Sequence, residues 1–296
     1  MTQPPPVDDK VYFSIDFEDF SYDVAREFGL SADPVMRVRA LEQSIMSIQA
    51  FIDSTLSNPA ITFFCAGIIA EKHPEIIRMI AELGHEIGCH YHFHDSVRHE
   101  DVDHFDRQLS RARGHLQSAS GQDVVGFRAP RFSIDGDDAA RYQVIERHFR
   151  YDSSLNLDTT ADLAAAYRTL GLTSLQLIPV GKHRVAPFLP DLKTGGSYFK
   201  LFPFWVSRTA LRKSIQNGLQ PMLYLHPYEF TSDGAFRLGW NDLRGLGLAK
   251  RGYFHVRQHQ WHRVGNRAVR AKLERVFAEF RDGGPMRNLV GSLAAA

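Results

Sequence analysis

The chain predicts an α/β fold built on a mainly parallel sheet, and three observations carry that reading. Short apolar runs alternate with amphipathic stretches along most of the 296 residues. The segments between the runs are long enough for helical crossovers, which parallel strands need. Polar, chemistry-bearing residues stand just past several of the runs, where open or closed α/β sheets carry their sites.

The elements follow in order. Val11 to Ile15 reads as a strand and gives way to Asp16-Phe17-Glu18-Asp19, three carboxylates at a strand end. Leu41, Ile45, Ile48, Ile52 and Leu56 recur at helical spacing, Pro59 closes that helix, and a strand follows over Ala60 to Cys65. Pro74 in a first turn, a stripe of Ile76, Ile77, Ile80 and Leu83, and a stop at Gly84 define the next helix. A strand over Glu86 to Cys89 then delivers His90. Phe105, Leu109, Ala112 and Leu116 mark a helix, and Val124 to Phe127 a strand that runs out into Arg128-Ala129-Pro130.

Ala140, Val144, Ile145 and Phe149 form a short helix, after which Tyr151-Asp152-Ser153-Ser154 reads as a strand end or turn. A helix over Asp162 to Leu170 and a strand over Leu175 to Val180 follow. Gly181 to Pro203, with Gly195-Gly196, reads as a long ordered loop and a lid or rim candidate. Ser207 is placed to cap a helix bearing Leu211 and Ile215, and Met222 to Leu225 is a strand ending at His226. Phe230 to Trp261 has no clean period, whereas Val269, Leu273, Val276, Phe277 and Phe280 make a strong amphipathic helix. The domain is expected over residues 10–282, between a flexible tail at 1–9 and a C-terminal tail at 283–296.

An apolar fraction of 44% supplies a core, and a net charge of +1 with both signs abundant gives no global pull toward nucleic acid or an anionic membrane. The two cysteines, Cys65 and Cys89, lie inside apolar runs and are expected as buried free thiols in a reducing compartment. Met1 to Pro6 has neither a basic nor an apolar leader region, and no run is long enough to span a bilayer, so a cytoplasmic setting is expected.

Gly84 to His94 concentrates the chemistry. His90 and His94 stand four apart, so one helical turn would put both on one face as a metal clamp. Asp16, His90, Arg128 and His226 each fall just past a predicted strand, and parallel strands would bring them to one end of the sheet. Two imidazoles, a carboxylate and an open position suit a catalytic Zn²⁺, with Co, Ni, Fe or Mn able to fill the same set. A second carboxylate as base, a histidine as acid and an arginine to fix the base complete a metal-assisted hydrolase.

Asp16-Phe17-Glu18-Asp19, Gly84 to His94, Phe127-Arg128-Ala129-Pro130, Tyr151-Asp152-Ser153-Ser154 and Leu225-His226-Pro227-Tyr228-Glu229 resemble, in order and spacing, the motifs of the polysaccharide deacetylases of the nodulation-factor deacetylase (NodB homology) type. The match spans Val11 to Phe230. Gly195-Gly196-Ser197-Tyr198-Phe199-Lys200 resembles a segment of the branch that works in exopolysaccharide and O-antigen assembly. The resemblance implies a distorted (β/α) barrel of roughly seven parallel strands with its site at their C-terminal ends. It implies removal of an N-acetyl group from an amino sugar, with Asp16 as base, His90 and His94 as metal ligands, Arg128 tethering the base and His226 as acid. Asp152 would orient His226 or Arg128. The substrate expected is an amino sugar of a glycan or of a nucleotide- or lipid-linked precursor, with Pro130, Tyr198 and Tyr224 lining its pocket.

Two departures from the family pattern leave choices open. Phe17 replaces a second adjacent Asp, so the metal carboxylate is Glu18 or Asp19. Alternation puts Glu18 on the side of Asp16, a turn into a loop frees Asp19, and Asp19 is favoured. Tyr224 stands where the family usually has Leu.

His85 is expected to be structural and His92 a surface or rim residue. Asp152 is equally placed to cap a turn, and Glu229 is left open between site and structural roles. Lys250, Arg251, Arg257, Arg263, Arg267, Arg270 and Lys272, interleaved with Tyr253, Phe254 and Trp261, are read as a solvated face in preference to a docking surface for a pyrophosphate-linked sugar, nucleotide or lipid. No nucleic-acid recognition motif accompanies them. The rival functions are another C–N hydrolase on the same scaffold, acting on a cyclic amide or formamido sugar, and a glycan-binding module without turnover.

Overall fold

Strand β1 (Lys10–Phe17) anchors the sheet, and beyond Lys10 every one of its residues is buried, as a strand covered on both faces requires. The computed structural model describes residues 8–231 and 234–291. After β1 come α1 (Phe20–Glu27), α2 (Val38–Thr55), β2 (Thr62–Cys65), α3 (Gly67–Lys72), α4 (Pro74–Glu82), β3 (Glu86–Cys89) and α5 (Val102–Ser120). Next are β4 (Gly126–Phe127), α6 (Ala139–His148), β5 (Tyr151–Asp152), β6 (Asn156–Leu157), α7 (Thr160–Leu170), β7 (Gln176–Leu177), β8 (Val180–His183) and β9 (Leu192–Lys193). The chain continues through α8 (Gly196–Leu201), α9 (Phe204–Gln216), β10 (Met222–Leu225), α10 (Leu248–His262), α11 (Val269–Glu279), β11 (Arg281–Asp282) and α12 (Arg287–Gly291).

The main sheet runs β10-β1-β2-β3-β4-β5-β7, and β11 adds to the start of β1. All these pairings are parallel, and the curled sheet is an open, distorted half-barrel of seven strands. Its register is level at one end. Phe17 pairs with Cys65, Cys65 with Cys89, Cys89 with Phe127 and Phe127 with Asp152, while Ile15 pairs with Leu225. Residues just past β3, β4 and β10 therefore emerge beside Asp16.

Helices cover the outer face. The stripe Phe105, Leu109, Ala112, Leu116 and Ala119 of α5 is buried, the Asp101 side chain accepts from the N–H of His104 at its start, and Gly121 closes it in the left-handed conformation. The inner face holds a smaller cluster in which Tyr12, Phe64, Tyr151, Ile178, Val180, Met222, Tyr224, Met286 and Leu289 pack together. A ribbon of β6, β8 and β9 continues from β7 toward β10 and is tied to it by a bridge between Gly195 and Tyr224.

Several elements depart from the sequence expectations for physical reasons. The expected strand over Leu175 to Val180 is divided between β7 and β8. The expected loop over Gly181 to Pro203 contains the end of β8, all of β9 and α8. Helix α10 forms where no apolar period is visible, because two of its buried positions are Gln258 and His262, which a hydrophobicity pattern reads as polar. The expected C-terminal tail is ordered over residues 283–291. Met286 is fully buried there and its N–H donates to Thr62 Oγ1 at 2.7 Å, while the N–H of Arg287 donates to Glu86 Oε2 at 3.0 Å. Positions 1–7 and 292–296 of the two expected tails lie outside the described residues. No described helix is long and apolar enough to cross a membrane, and Cys65 and Cys89 are buried and free.

Candidate active site

Strand alternation from Ser14 through Asp16 to Glu18 gives the site its first wall, since all three face inward. Arg128, fully buried at the end of β4, organises it. Its Nη1 donates to Asp16 Oδ1 at 2.6 Å and to Ser14 Oγ at 2.8 Å, and its Nη2 donates to Ser153 Oγ at 2.9 Å. The guanidinium also lies 4.2 Å from the centre of the Phe64 ring. Burial would raise the Asp16 carboxyl, but Arg128, His90 and His226 outweigh it and hold the group below its ordinary value. Asp16 is thus an ionised carboxylate in a buried setting.

His90, His94 and Glu18 form the second wall, with one potential ligand atom from each lying within 4.8 Å of the others. The Nδ1–H of His90 donates to the Arg128 carbonyl at 2.8 Å, which leaves Nε2 as its lone-pair nitrogen. Burial pushes the His90 ring down to about 4, so it is neutral, as a ligand must be. His94 Nε2 stands 2.6 Å from Glu18 Oε2, yet that oxygen is buried without a hydrogen bond of acceptable geometry. Two neutral-capable imidazoles facing an orphaned carboxylate oxygen suit a divalent cation of the borderline class. The residues fit the implied metal.

Asp19, favoured in the sequence as the carboxylate ligand, does not join this cluster. It caps α1, with Oδ1 accepting from the N–H groups of Ser21 and Tyr22 at 3.0 and 3.2 Å and Oδ2 accepting from the N–H of Arg37 at 2.5 Å. Helix α1 starts directly after it, so the chain turns before an Asp19 side chain can reach the imidazoles. The His90 to His94 stretch is not helical either. It bends, with Tyr91 at φ 64°, and the two rings meet at a centroid distance of 5.4 Å through that bend.

His226 supplies the third wall. Glu229 Oε2 accepts from its backbone N–H at 2.9 Å and from Nδ1 at 3.2 Å, which directs Nε2 away from Glu229. The ring stacks on Tyr228, with centroids 4.9 Å apart and planes 8° from parallel. Burial would lower the imidazole, but Glu229, Glu18 and Asp16 raise it to about 9, so it carries a proton at neutral pH. Behind Glu229 lies Lys200, also buried, whose Nζ is 3.8 Å from Glu229 Oε1 and donates to the Trp261 carbonyl.

Asp152 bonds neither His226 nor Arg128. It accepts from the N–H and Oγ–H of Ser154 at 2.9 and 2.6 Å, and Ser154 Oγ in turn accepts from the N–H of Ala129 at 2.8 Å. It holds the backbone after Arg128 and leaves the guanidinium to Ser153. Pro130 is buried in a 3-10 turn whose next residues, Arg131 and Phe132, have φ 56° and 55°. Tyr224 is buried beside His226 with centroids 5.7 Å apart, whereas Tyr198 is half-exposed on α8 and lies near Phe202, 6.4 Å between centroids.

His85 packs as a structural residue, bonded to Gln49 Oε1 at 2.8 Å and stacked on Phe63. His92 corrects its rim assignment. It is fully buried against Gly67 and Phe93, because the bend after His90 turns it under α5 and away from solvent. In the basic stretch, Lys272 donates to the carbonyls of Phe199, Lys200 and Phe202, and Arg251 and Arg257 lie over Trp240 and Trp261. Sequence reasoning missed Ser14, Ser153 and Asp23. The first was legible by alternation from Asp16. Asp23 is buried beside the cluster and raised to about 8 by burial, against the pull of His94. A separate cavity of about 500 Å³, bounded in part by Met46, Thr231, Asn266 and Arg267, shares only Glu229 with this site.

The fold and this site define a curled (β/α) protein with a His-His-carboxylate metal triad. The polysaccharide deacetylase family model matches residues 57–148, and a domain of unknown function, DUF3473, matches residues 171–281. A peptidoglycan deacetylase-like protein from Gibberella zeae is 32% identical over 97 residues, which is 32% of this chain and only 28% of that protein's length. Among solved structures, a putative polysaccharide deacetylase from Mycobacterium smegmatis superposes with a TM-score of 0.62 at 20% identity, over 100% of this chain and 96% of that one. A peptidoglycan N-acetylglucosamine deacetylase gives 0.51 at 12% over 97% and 90% of the two chains, and a CE4 family pseudoenzyme from Bacillus anthracis 0.50 at 12% over 98% and 69%. Residues 57–148 are thus similar to the polysaccharide deacetylase family, and the whole chain shares the fold of solved polysaccharide deacetylase structures. Glu18, His90 and His94 form a His-His-carboxylate triad able to hold a metal ion.

Proposed function

We propose that this chain is a metal-dependent hydrolase that removes an N-acetyl group from an amino sugar of a glycan or glycan precursor. The observation that carries the reading is the juxtaposition of an ionised, arginine-held Asp16 with an orphaned Glu18 oxygen facing His90 and His94. A divalent metal on Glu18, His90 and His94, with zinc the favoured ion, would supply Lewis acidity for the acetamide carbonyl. Asp16 takes a proton from the attacking water, and Arg128 keeps that carboxylate oriented. As the new C–O bond forms and the C–N bond breaks, His226 Nε2–H gives its proton to the departing amine and acetate is left. Glu229 holds His226 in the tautomer that this step needs.

Pro130, Tyr198 and Tyr224 are the candidates to line the sugar's pocket. Action in exopolysaccharide or O-antigen assembly, on a nucleotide- or lipid-linked precursor, rests on the resemblance of Gly195 to Lys200. The cytoplasmic setting is part of the same reading and is compatible with two buried free thiols. Acetate release should be followed with the metal-loaded protein on N-acetylhexosamine, UDP-linked and oligosaccharide substrates. Release that depends on both His90 and Asp16 is expected, and its absence on all of them would overturn the reading. A glycan-binding role is the second reading, favoured by the likeness to a CE4 family pseudoenzyme; sugar binding without turnover under every divalent metal would establish it.

A further inference from the structure

The ribbon β8/β9 sets two lysines side by side at the rim of the half-barrel. Lys182 and Lys193 are direct cross-strand partners in an antiparallel pair, so their side chains leave the same face. That face is the inner one, because Val180, two residues before Lys182, packs in the inner cluster with Tyr224 and Phe64. Like charges directly opposite one another destabilise a strand pair. Among the described residues neither lysine has a carboxylate within 4.0 Å or a hydrogen-bond acceptor for its ammonium group.

Lys193 is also not free in solvent. It is half-buried, with its ammonium 4.3 Å from the centre of the Phe132 ring, and Phe132 packs against Tyr224, 5.0 Å between centroids. Phe132 holds a left-handed φ of 55°, a strained conformation for a bulky residue that collects at functional sites. Burial and the neighbouring Lys182 push the Lys193 ammonium down to about 8, and Asp16 pulls it back up, so the group lies within the electrostatic reach of the proposed base. Two cations without a carboxylate partner thus share one face of the ribbon, and the partly desolvated one sits over the Phe132 ring, which packs on Tyr224, itself packed on His226.

We infer that Lys182 and Lys193 form an anion subsite, and that the glycan acted on carries a negatively charged group, a carboxylate or a phosphate, near its acetamido group. This inference rests on the deacetylase reading for the reaction but not for the binding. The test uses the His226→Gln protein, so that probes are not consumed, and titrates three of them by calorimetry at low and high salt. They are a neutral N-acetylglucosamine oligosaccharide, the same oligosaccharide with a neighbouring uronate, and N-acetylglucosamine 1-phosphate.

At least one anionic probe should bind about tenfold tighter than the neutral one, a preference that falls with salt and drops about tenfold again in Lys182→Glu. Lys193→Gln should weaken the preference and Lys193→Arg restore it. Lys182 is exposed, so its variant tests the idea even if a Lys193 variant unfolds. A preference for the uronate alone identifies a charged sugar within the chain, and one for the phosphate alone an activated sugar. Equal affinity for neutral and anionic probes, or a preference that Lys182→Glu leaves intact, overturns the subsite. Anion preference without acetate release from the wild-type protein would sink the deacetylase reading and leave the subsite standing.

Discussion

Glu229 Oε2 accepts from both the backbone N–H and the ring Nδ1 of His226, three residues earlier. Pro227 starts the intervening 3-10 turn, and this local geometry alone fixes which ring nitrogen faces the site. The pairing also sets the charge of the ring.

The pH consequence follows from the sign of that shift. His226 is charged in the fold up to about 9, against an ordinary value of 6.5. Stabilisation from the pair is therefore complete below pH 6.5 and lost as pH rises through about 9. Activity should fall on the same alkaline limb. In Glu229→Gln the limb should move to lower pH and the neutral-pH rate drop by roughly tenfold or more. A pH–rate profile whose alkaline limb is the same in both proteins would remove His226 as the acid.

Glu18 and Asp19 are adjacent but should behave oppositely. Glu18→Ala should weaken metal binding by about 100-fold or more. Asp19→Ala removes a helix cap and should cost about 1–2 kcal/mol of stability with metal affinity largely kept. Metal titration and thermal melts on both variants decide it, and strong metal loss confined to Asp19→Ala would reverse the assignment.

Arg128→Met leaves the Asp16 carboxylate buried without its partner. A loss of about 3–5 kcal/mol in urea denaturation is expected, and less in the Arg128→Met, Asp16→Asn double variant than in the sum of the singles. Because Arg128 is the leading group opposing burial at Asp16, the acid limb of activity should move to higher pH in Arg128→Met. Additive stability effects would mean that the two residues do not act as a pair.

Truncation before Pro285 tests the C-terminal plug. Glu86 lies buried beneath the site and accepts from Thr62 Oγ1, Tyr151 Oη and the N–H of Arg287. Removal of the segment strips one of these donors and uncovers Met286's place in the inner cluster, so a destabilisation of at least about 3 kcal/mol is expected. An unchanged melt would show the inner cluster to be self-sufficient.

The alternation of apolar runs and amphipathic stripes determined the α/β class and the strands that carry Asp16, His90, Arg128 and His226, because strand and helix periods are local properties of the chain. Equally local was the inward face shared by Ser14, Asp16 and Glu18. What tertiary structure decided was which neighbour each polar group meets. Helix α1 begins at once after Asp19 and takes that carboxylate as its cap, so Glu18 is left facing His90 and His94. A bend at Tyr91 brings those imidazoles together where a helical turn was expected, and buries His92. Asp152 reaches Ser154, so Arg128 is fixed by Ser14 and Ser153. Gln258 and His262 hid α10 because its core contacts are polar, and the C-terminal segment gained order only by packing Met286 beneath the sheet. The choice between Glu18 and Asp19 thus depends on where a helix starts, which carboxylates spaced one residue apart do not themselves encode.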